Sequence, residues 1–196
     1  LEMSEQLPSL FHCSASIDRL MEIEAMPGEE EGDALMMAGI AGVRLENLSF
    51  HYPDGEEMIF DNFSHDFKPG SRTAVIGETG IGKSTLIKLL MSLLQADSGK
   101  ITLYDLKGDC AEASSRTRCN MVYVPQGNTL FSGSIRENLL MGKPDADESQ
   151  MREALHRAAA DFVDRMPEGL NSQCFEAGGG LSEGQAQRIA IARALL

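Results

Sequence analysis

This chain is short of positive charge. Its 196 residues carry 17 Lys and Arg against 30 Asp and Glu, for a formal net charge of -13. Such a surface repels a nucleic-acid backbone, and no local basic stripe offsets the imbalance. Cysteine is sparse as well. Cys13, Cys110, Cys119 and Cys174 are scattered, without C-x-x-C spacing or a neighbouring histidine cluster. They read as reduced thiols of a cytoplasmic protein, which excludes a metal site or a disulfide framework. Long apolar runs are missing too. The longest, Ala34 to Val43, is too short and too rich in glycine to cross a bilayer, and no secretory signal is visible.

What is present is 42% hydrophobic content, enough for one α/β domain with its own core and a small subdomain. Much of the acidic excess is local, in Glu22, Glu24, Glu29, Glu30, Glu31 and Asp33. That run reads as a solvated linker rather than an acidic recognition tail. Ahead of it, Leu10, Ile17, Leu20 and Met21 predict a short amphipathic helix from Ser9 to about Glu24, broken by Pro27-Gly28. This leader either packs on another element or docks on its own domain.

The organising stretch is Gly77-Glu78-Thr79-Gly80-Ile81-Gly82-Lys83-Ser84, which fits G-x-x-x-x-G-K-[ST] at every fixed position. Glycines let the backbone wrap tightly and aim several N–H groups at one phosphate chain. Lys83 adds a mobile positive charge, and Ser84 offers a hydroxyl oxygen to a hard cation such as Mg²⁺. The flanks agree. Arg72 to Ile76 is short, β-branched and bounded by Pro69-Gly70, which predicts a buried strand. Leu86, Leu89, Leu90, Leu93 and Leu94 predict a helix from Lys83 to about Gln95. Strand, glycine loop and helix follow in the order that puts a helix N-terminus behind bound phosphate.

Around this stretch, Val43, Leu45, Leu48, Phe50 and Tyr52 alternate as a strand with an irregularity near Asn47, closed by Pro53-Asp54-Gly55. Ile59 to Phe67 gives a second strand, interrupted at Asp61-Asn62. Lys100 to Tyr104 and Met121 to Val124 predict two more. Beyond Gln126 the pattern turns helical. Ser134 to Met141 forms one short piece, and Asp147 to Gln150 has the form of a capping box opening a helix through Met151, Leu155 and Phe162.

Leu181-Ser182-Glu183-Gly184-Gln185 then leads directly into the helix-favouring run Ala186 to Leu196. With the phosphate loop, this motif makes the chain resemble an ABC-type ATPase, whose signature is L-S-G-G-Q at the start of such a helix. Glu183 stands where the family's first signature glycine would be. The resemblance implies a P-loop NTPase core with an antiparallel β subdomain and a helical subdomain carrying the signature. It implies that Glu78, Thr79, Gly80, Ile81, Gly82, Lys83, Ser84 and Thr85 bind ATP phosphates, with Tyr52 stacked on adenine. Ser84 and Gln126, the latter in Tyr123-Val124-Pro125-Gln126, would meet Mg²⁺. Ser182, Gly184 and Gln185 would contact ATP bound to a second ATP-binding domain, identical or different.

Finer detail resembles the exporter branch. Thr129 to Leu139 is similar to the segment by which exporter ATPases contact their transmembrane domain, and Glu176 to an acidic residue that exporters carry before the signature. The leader from Leu7 to Glu24 looks like the connector after a last membrane helix. On this reading residues 1–39 are a connector and residues 40–196 an ATP-binding domain, with its helical subdomain at about 127–185. The chain would sit at the cytoplasmic face of a membrane as part of a longer protein, though soluble as a fragment. The family's acidic Mg²⁺ ligand, catalytic glutamate and switch histidine would follow Leu196. Residues 1–196 alone are therefore expected to bind ATP weakly and hydrolyse it poorly or not at all. A non-transport ABC ATPase and a nucleotide-sensing module that never hydrolyses are the two rival readings.

Overall fold

The computed structural model describes residues 17–26, 28–29, 31–55, 57–127, 129–175 and 180–196. The chain divides into two compact units, Leu1–Asn120 and Met121–Leu196.

The first unit is built on β1 (Gly42–His51), which pairs antiparallel with β2 (Met58–Phe67) on one side and with β3 (Ser98–Tyr104) on the other. A short β4 (Cys110–Glu112) completes a four-stranded sheet in the order β2-β1-β3-β4. The irregularity expected near Asn47 is a bulge: Asn47 has φ 51, and the register slips between Leu45 and Leu48. Asparagine tolerates this left-handed conformation, and the extra residue turns Leu45 and Leu48 to the same buried face although they are three apart. Across the bulge a Cβ on Gly99 would collide with the carbonyl of Asn47, so β3 can pass only with glycine there.

Helix α1 (Lys83–Leu90) buries Leu86 and Leu89 against Leu45, Leu48 and Phe50. It stops well short of Gln95, where the leucine spacing carried the expectation. Ser92 turns left-handed at φ 52, and Leu93 N–H bonds to Lys88 O at 2.8 Å while Ser92 N–H bonds to Leu89 O at 2.9 Å. This is a Schellman closure of the helix end. Leu94 keeps its contact with the core from beyond the helix, which is why the periodicity outran the helix.

Two predicted strands are not in a ladder among the described residues. Segments 72–76 and 121–124 lie outside the assigned strands, with Ile76 90% and Val122 70% exposed. A β-branched run favours extended backbone, but a ladder needs a neighbour, which composition does not specify. The acidic linker is exposed at residues 28–29 and 31–36, as expected, and is also tied down. Leu35 N–H bonds to Arg116 O, Met37 N–H to Asn120 Oδ1, and Glu29 pairs with Arg118, all on the 3₁₀ turn Ser115–Asn120. In the leader, residues 17–24 are helical with Ile17, Leu20 and Met21 exposed; its earlier part lies outside the described residues.

The second unit pairs β5 (Gly133–Ser134) with β6 (Gln173–Cys174) and packs α2 (Ile135–Leu140), α3 (Glu148–Arg157) and α4 (Glu183–Leu195) around Ile135, Leu139, Met151, Leu155 and Ile189. The Asp147/Gln150 capping box forms as the sequence predicts. The helix it opens does not reach Phe162. It ends where Ala159 turns left-handed at φ 54, and Phe162 sits on the following 3₁₀ turn, Asp161–Arg165.

Candidate functional site

The loop from Gly77 to Gly82 reaches α1 through two left-handed glycines, Gly80 at φ 93 and Gly82 at φ 101. At Gly82 the restriction is double, since a Cβ would also stand 2.6 Å from Ile59 Cγ2. Gly82 is the N-cap of α1, so no side chain caps the first turn and its N–H groups point outward without a side-chain acceptor. The Lys83 ammonium folds back over the loop, donating to Gly77 O at 2.9 Å and Glu78 O at 2.5 Å. Glu78, Thr79, Gly80 and Ile81 are exposed, as is Ser84, whereas Thr85 and Leu86 are buried and fix the helix to the sheet. The loop is thus an open cradle of backbone donors with one cation held on its own carbonyls.

Tyr52 follows β1 directly and reaches this helix. Its hydroxyl lies 3.0 Å from Thr85 Oγ1, and its ring meets Phe50 edge-on at 5.0 Å. The preceding residue is clamped: Asp97 accepts from the His51 backbone N–H at 2.8 Å and from its Nδ1 at 2.7 Å. Those bonds from His51 hold the Asp97 carboxyl below the usual carboxylate range.

In the second unit, Gln126 is exposed and follows residues 121–125, which have no assigned secondary structure. Ser182 is the N-cap of α4. Its hydroxyl accepts from Gln185 N–H at 3.2 Å, and Gln185 Oε1 accepts from Ser182 N–H at 2.9 Å. This capping box was readable from S-x-x-Q but is missed when the stretch is read only as a signature. Gly184 is exposed, and among the described residues a Cβ placed on it would meet nothing within 4 Å. No described neighbour therefore requires glycine there. Glu176 lies outside the described residues.

Reading the sequence missed Asn138. Buried in α2, it accepts from Phe131 N–H at 2.9 Å and donates to Phe131 O and Ser134 O, so one side chain shapes the 131–134 turn. Phe131 stays 57% exposed beneath the Arg193 guanidinium, 5.8 Å from its ring centre. An asparagine among apolar helix positions was the available signal, since a buried amide must find partners.

Comparison with known proteins adds a family to this geometry. Residues 60–196 match the model of the ABC transporter family. The chain is 34% identical over 195 residues to the Mycobactin import ATP-binding/permease protein IrtB of Mycolicibacterium smegmatis, covering 99% of this chain and 34% of that protein. It is 38% identical over 185 residues to the ATP-dependent lipid A-core flippase of Xanthomonas oryzae pv. oryzae, covering 93% of this chain and 31% of that one. Among solved structures it superposes on a bacterial Atm1-family ABC exporter with ATP bound at a TM-score of 0.75 and 30% identity, over 93% of this chain and 32% of that chain. The chain therefore spans about a third of the length of these relatives.

Proposed function

Because the chain belongs to the ABC transporter family, we propose that it is the ATP-binding part of a membrane exporter, coupling ATP binding and hydrolysis to movement of a substrate. The observation that carries this reading is the phosphate loop: an uncapped helix start behind Gly82, with the Lys83 ammonium parked on the carbonyls of Gly77 and Glu78. Among the described residues this cation is held by neutral carbonyls, and a phosphate oxygen, with its opposite charge, would make the stronger bond. The donor set also fits a Mg²⁺-bound triphosphate. Backbone N–H groups from Gly80 to Thr85 would line the phosphates, and the exposed Ser84 hydroxyl would supply an oxygen to the metal. Bound Mg²⁺ would neutralise charge on the outer phosphates. Tyr52 is assigned to adenine, and the Mg²⁺ role of Gln126 is proposed on its motif alone.

The second half of the site is assigned in trans. Ser182, Gly184 and Gln185 of one copy would face the γ-phosphate held by another ATP-binding domain in a head-to-tail dimer. Gly184 supports this. Glycine is a poorer helix former than alanine, yet among the described residues nothing lies within 4 Å of where its Cβ would stand. A close approach from outside would explain the choice. ATP would then favour the closed pair and its hydrolysis would release it. No residue of this chain is assigned as the general base. Residues 1–39 would be the connector to a transmembrane domain at the cytoplasmic face, and residues 127–185 the helical subdomain within an ATP-binding domain spanning 40–196. Among the described residues no helix is long and apolar enough to cross a membrane.

Two substitutions in the full-length protein test the reading. Lys83→Ala is expected to abolish most ATP binding. Gly184→Val is expected to leave ATP affinity near that of the parent while abolishing ATP-dependent association of the two domains. If both caused the same loss of ATP affinity, the in-trans assignment would be wrong.

A further inference from the structure

Val122, Tyr123, Phe131 and Met141 are all exposed and border one cavity of about 350 Å³ in the second unit. Apolar side chains gathered in water are the kind of surface that meets another protein. Arg193 borders the same cavity from the last turn of α4. Its Nη2 donates to Thr129 O and to Thr129 Oγ1, each at 3.2 Å, while the guanidinium lies over the Phe131 ring. The backbones close up at the same place. A Cβ on Gly142 would collide with Arg193 O, so glycine lets the end of α2 meet the end of α4. Asn138 completes the attachment by holding Phe131 N–H and O.

The opposite end of α4 is the Ser182 cap. Between the two ends run 13 residues, about 20 Å of helix, with Ala186, Ile189, Ala190 and Ala192 buried. A helix packed along its length is a rigid element able to carry a displacement from one end to the other. We infer that Arg193 is a positioning residue that fixes the 129–131 segment to α4, so that a displacement at Ser182 reaches Phe131 and the apolar surface around it. The inference rests on the proposed in-trans role of Ser182 and Gly184. Arginine suits this task. Its planar fork bonds the carbonyl and hydroxyl of one residue and stacks on a ring at once, whereas lysine puts a point charge on a flexible stem. Both bonds to Thr129 are partly buried, where a hydrogen bond is electrostatically stronger than in water.

The test uses the full-length protein with Phe131 replaced by para-fluorophenylalanine. Its fluorine resonance is recorded before and after addition of Mg²⁺ and a non-hydrolysable ATP analogue, and association of the ATP-binding domains is followed in the same samples by chemical cross-linking. In the parent the analogue is expected to drive association and to displace the resonance. Arg193→Lys should associate as the parent does while most of the displacement is lost, a separation that a general loss of structure would not produce. Thr129→Val, which removes one acceptor and keeps the shape, should lose part of the displacement, and Thr129→Ser should restore it. This pair carries the test if Arg193→Lys does not fold. A parent resonance that stays put, or one that moves as far in Arg193→Lys and Thr129→Val, would overturn the inference. So would loss of association in Arg193→Lys. Gly184→Val separates the two levels. If it abolishes association while the resonance still moves, transmission from Ser182 fails and the in-trans assignment stands; if association survives it, the in-trans assignment fails and the inference falls with it.

Discussion

Arg118 grips Glu29 with both terminal nitrogens, at 3.1 and 2.8 Å, and the same side chain donates to the carbonyls of Met91 and Ser92 at the end of α1. One guanidinium therefore joins the acidic linker to the helix that follows the phosphate loop. Arg118→Ala strips two helix-end carbonyls of their donor and is expected to cost about 2 kcal/mol of stability. Glu29→Gln, which touches only the exposed side of the junction, should cost clearly less. The Arg118 bonds hold the Glu29 carboxyl below its ordinary value of 4.5. Its contribution is thus present above pH 4.5 and is lost as pH falls through the lowered folded value. Urea unfolding of both variants against pH checks the ranking, and the Glu29→Gln protein should lack that acid loss.

His156 and Asp161 form the opposite case. Their contact at 2.7 Å raises the imidazole above its usual 6.5. A raised folded pKa stabilises fully below pH 6.5, and that contribution disappears as pH rises through the folded value. The His156 ring proton, followed by NMR, should titrate above 6.5 in the parent protein and fall back toward 6.5 in Asp161→Asn.

Asn138 makes all its bonds inside one turn. Replacing it with alanine leaves the Phe131 N–H and the Phe131 and Ser134 carbonyls without that partner. The expected loss is about 1–3 kcal/mol, with hydrogen exchange at Phe131 N–H accelerated ahead of the rest of the second unit. Unchanged exchange at Phe131 would mean that the turn holds itself.

The parts of this protein that a reader can see in its sequence are those fixed by local chemistry. The phosphate loop stands out because glycine, lysine and serine are demanded at set intervals, and the Asn47 irregularity and the Asp147 box announce themselves in the same way. What escapes is anything decided by a distant partner. The runs at 72–76 and 121–124 have strand composition, but nothing in them names the neighbour a ladder requires. The leucines after Leu90 kept helical spacing while Arg118, 27 residues beyond Met91, engaged the helix end. The Glu29 pairing, the docking of Leu35 and Met37, and the Tyr52–Thr85 bond belong to the same class. Residue types do not specify these contacts, and only the fold brought the atoms together.

On the proposed function the Lys83 ammonium is an ATP ligand waiting on its own loop. A structure of the full-length protein with Mg²⁺ and a non-hydrolysable ATP analogue tests it most directly. Lys83 Nζ should leave Gly77 O and Glu78 O for phosphate oxygens at about 2.8 Å, with the triphosphate wrapped by residues 78–85. Analogue bound elsewhere, with Nζ still on those two carbonyls, would rule out Lys83 as a phosphate ligand.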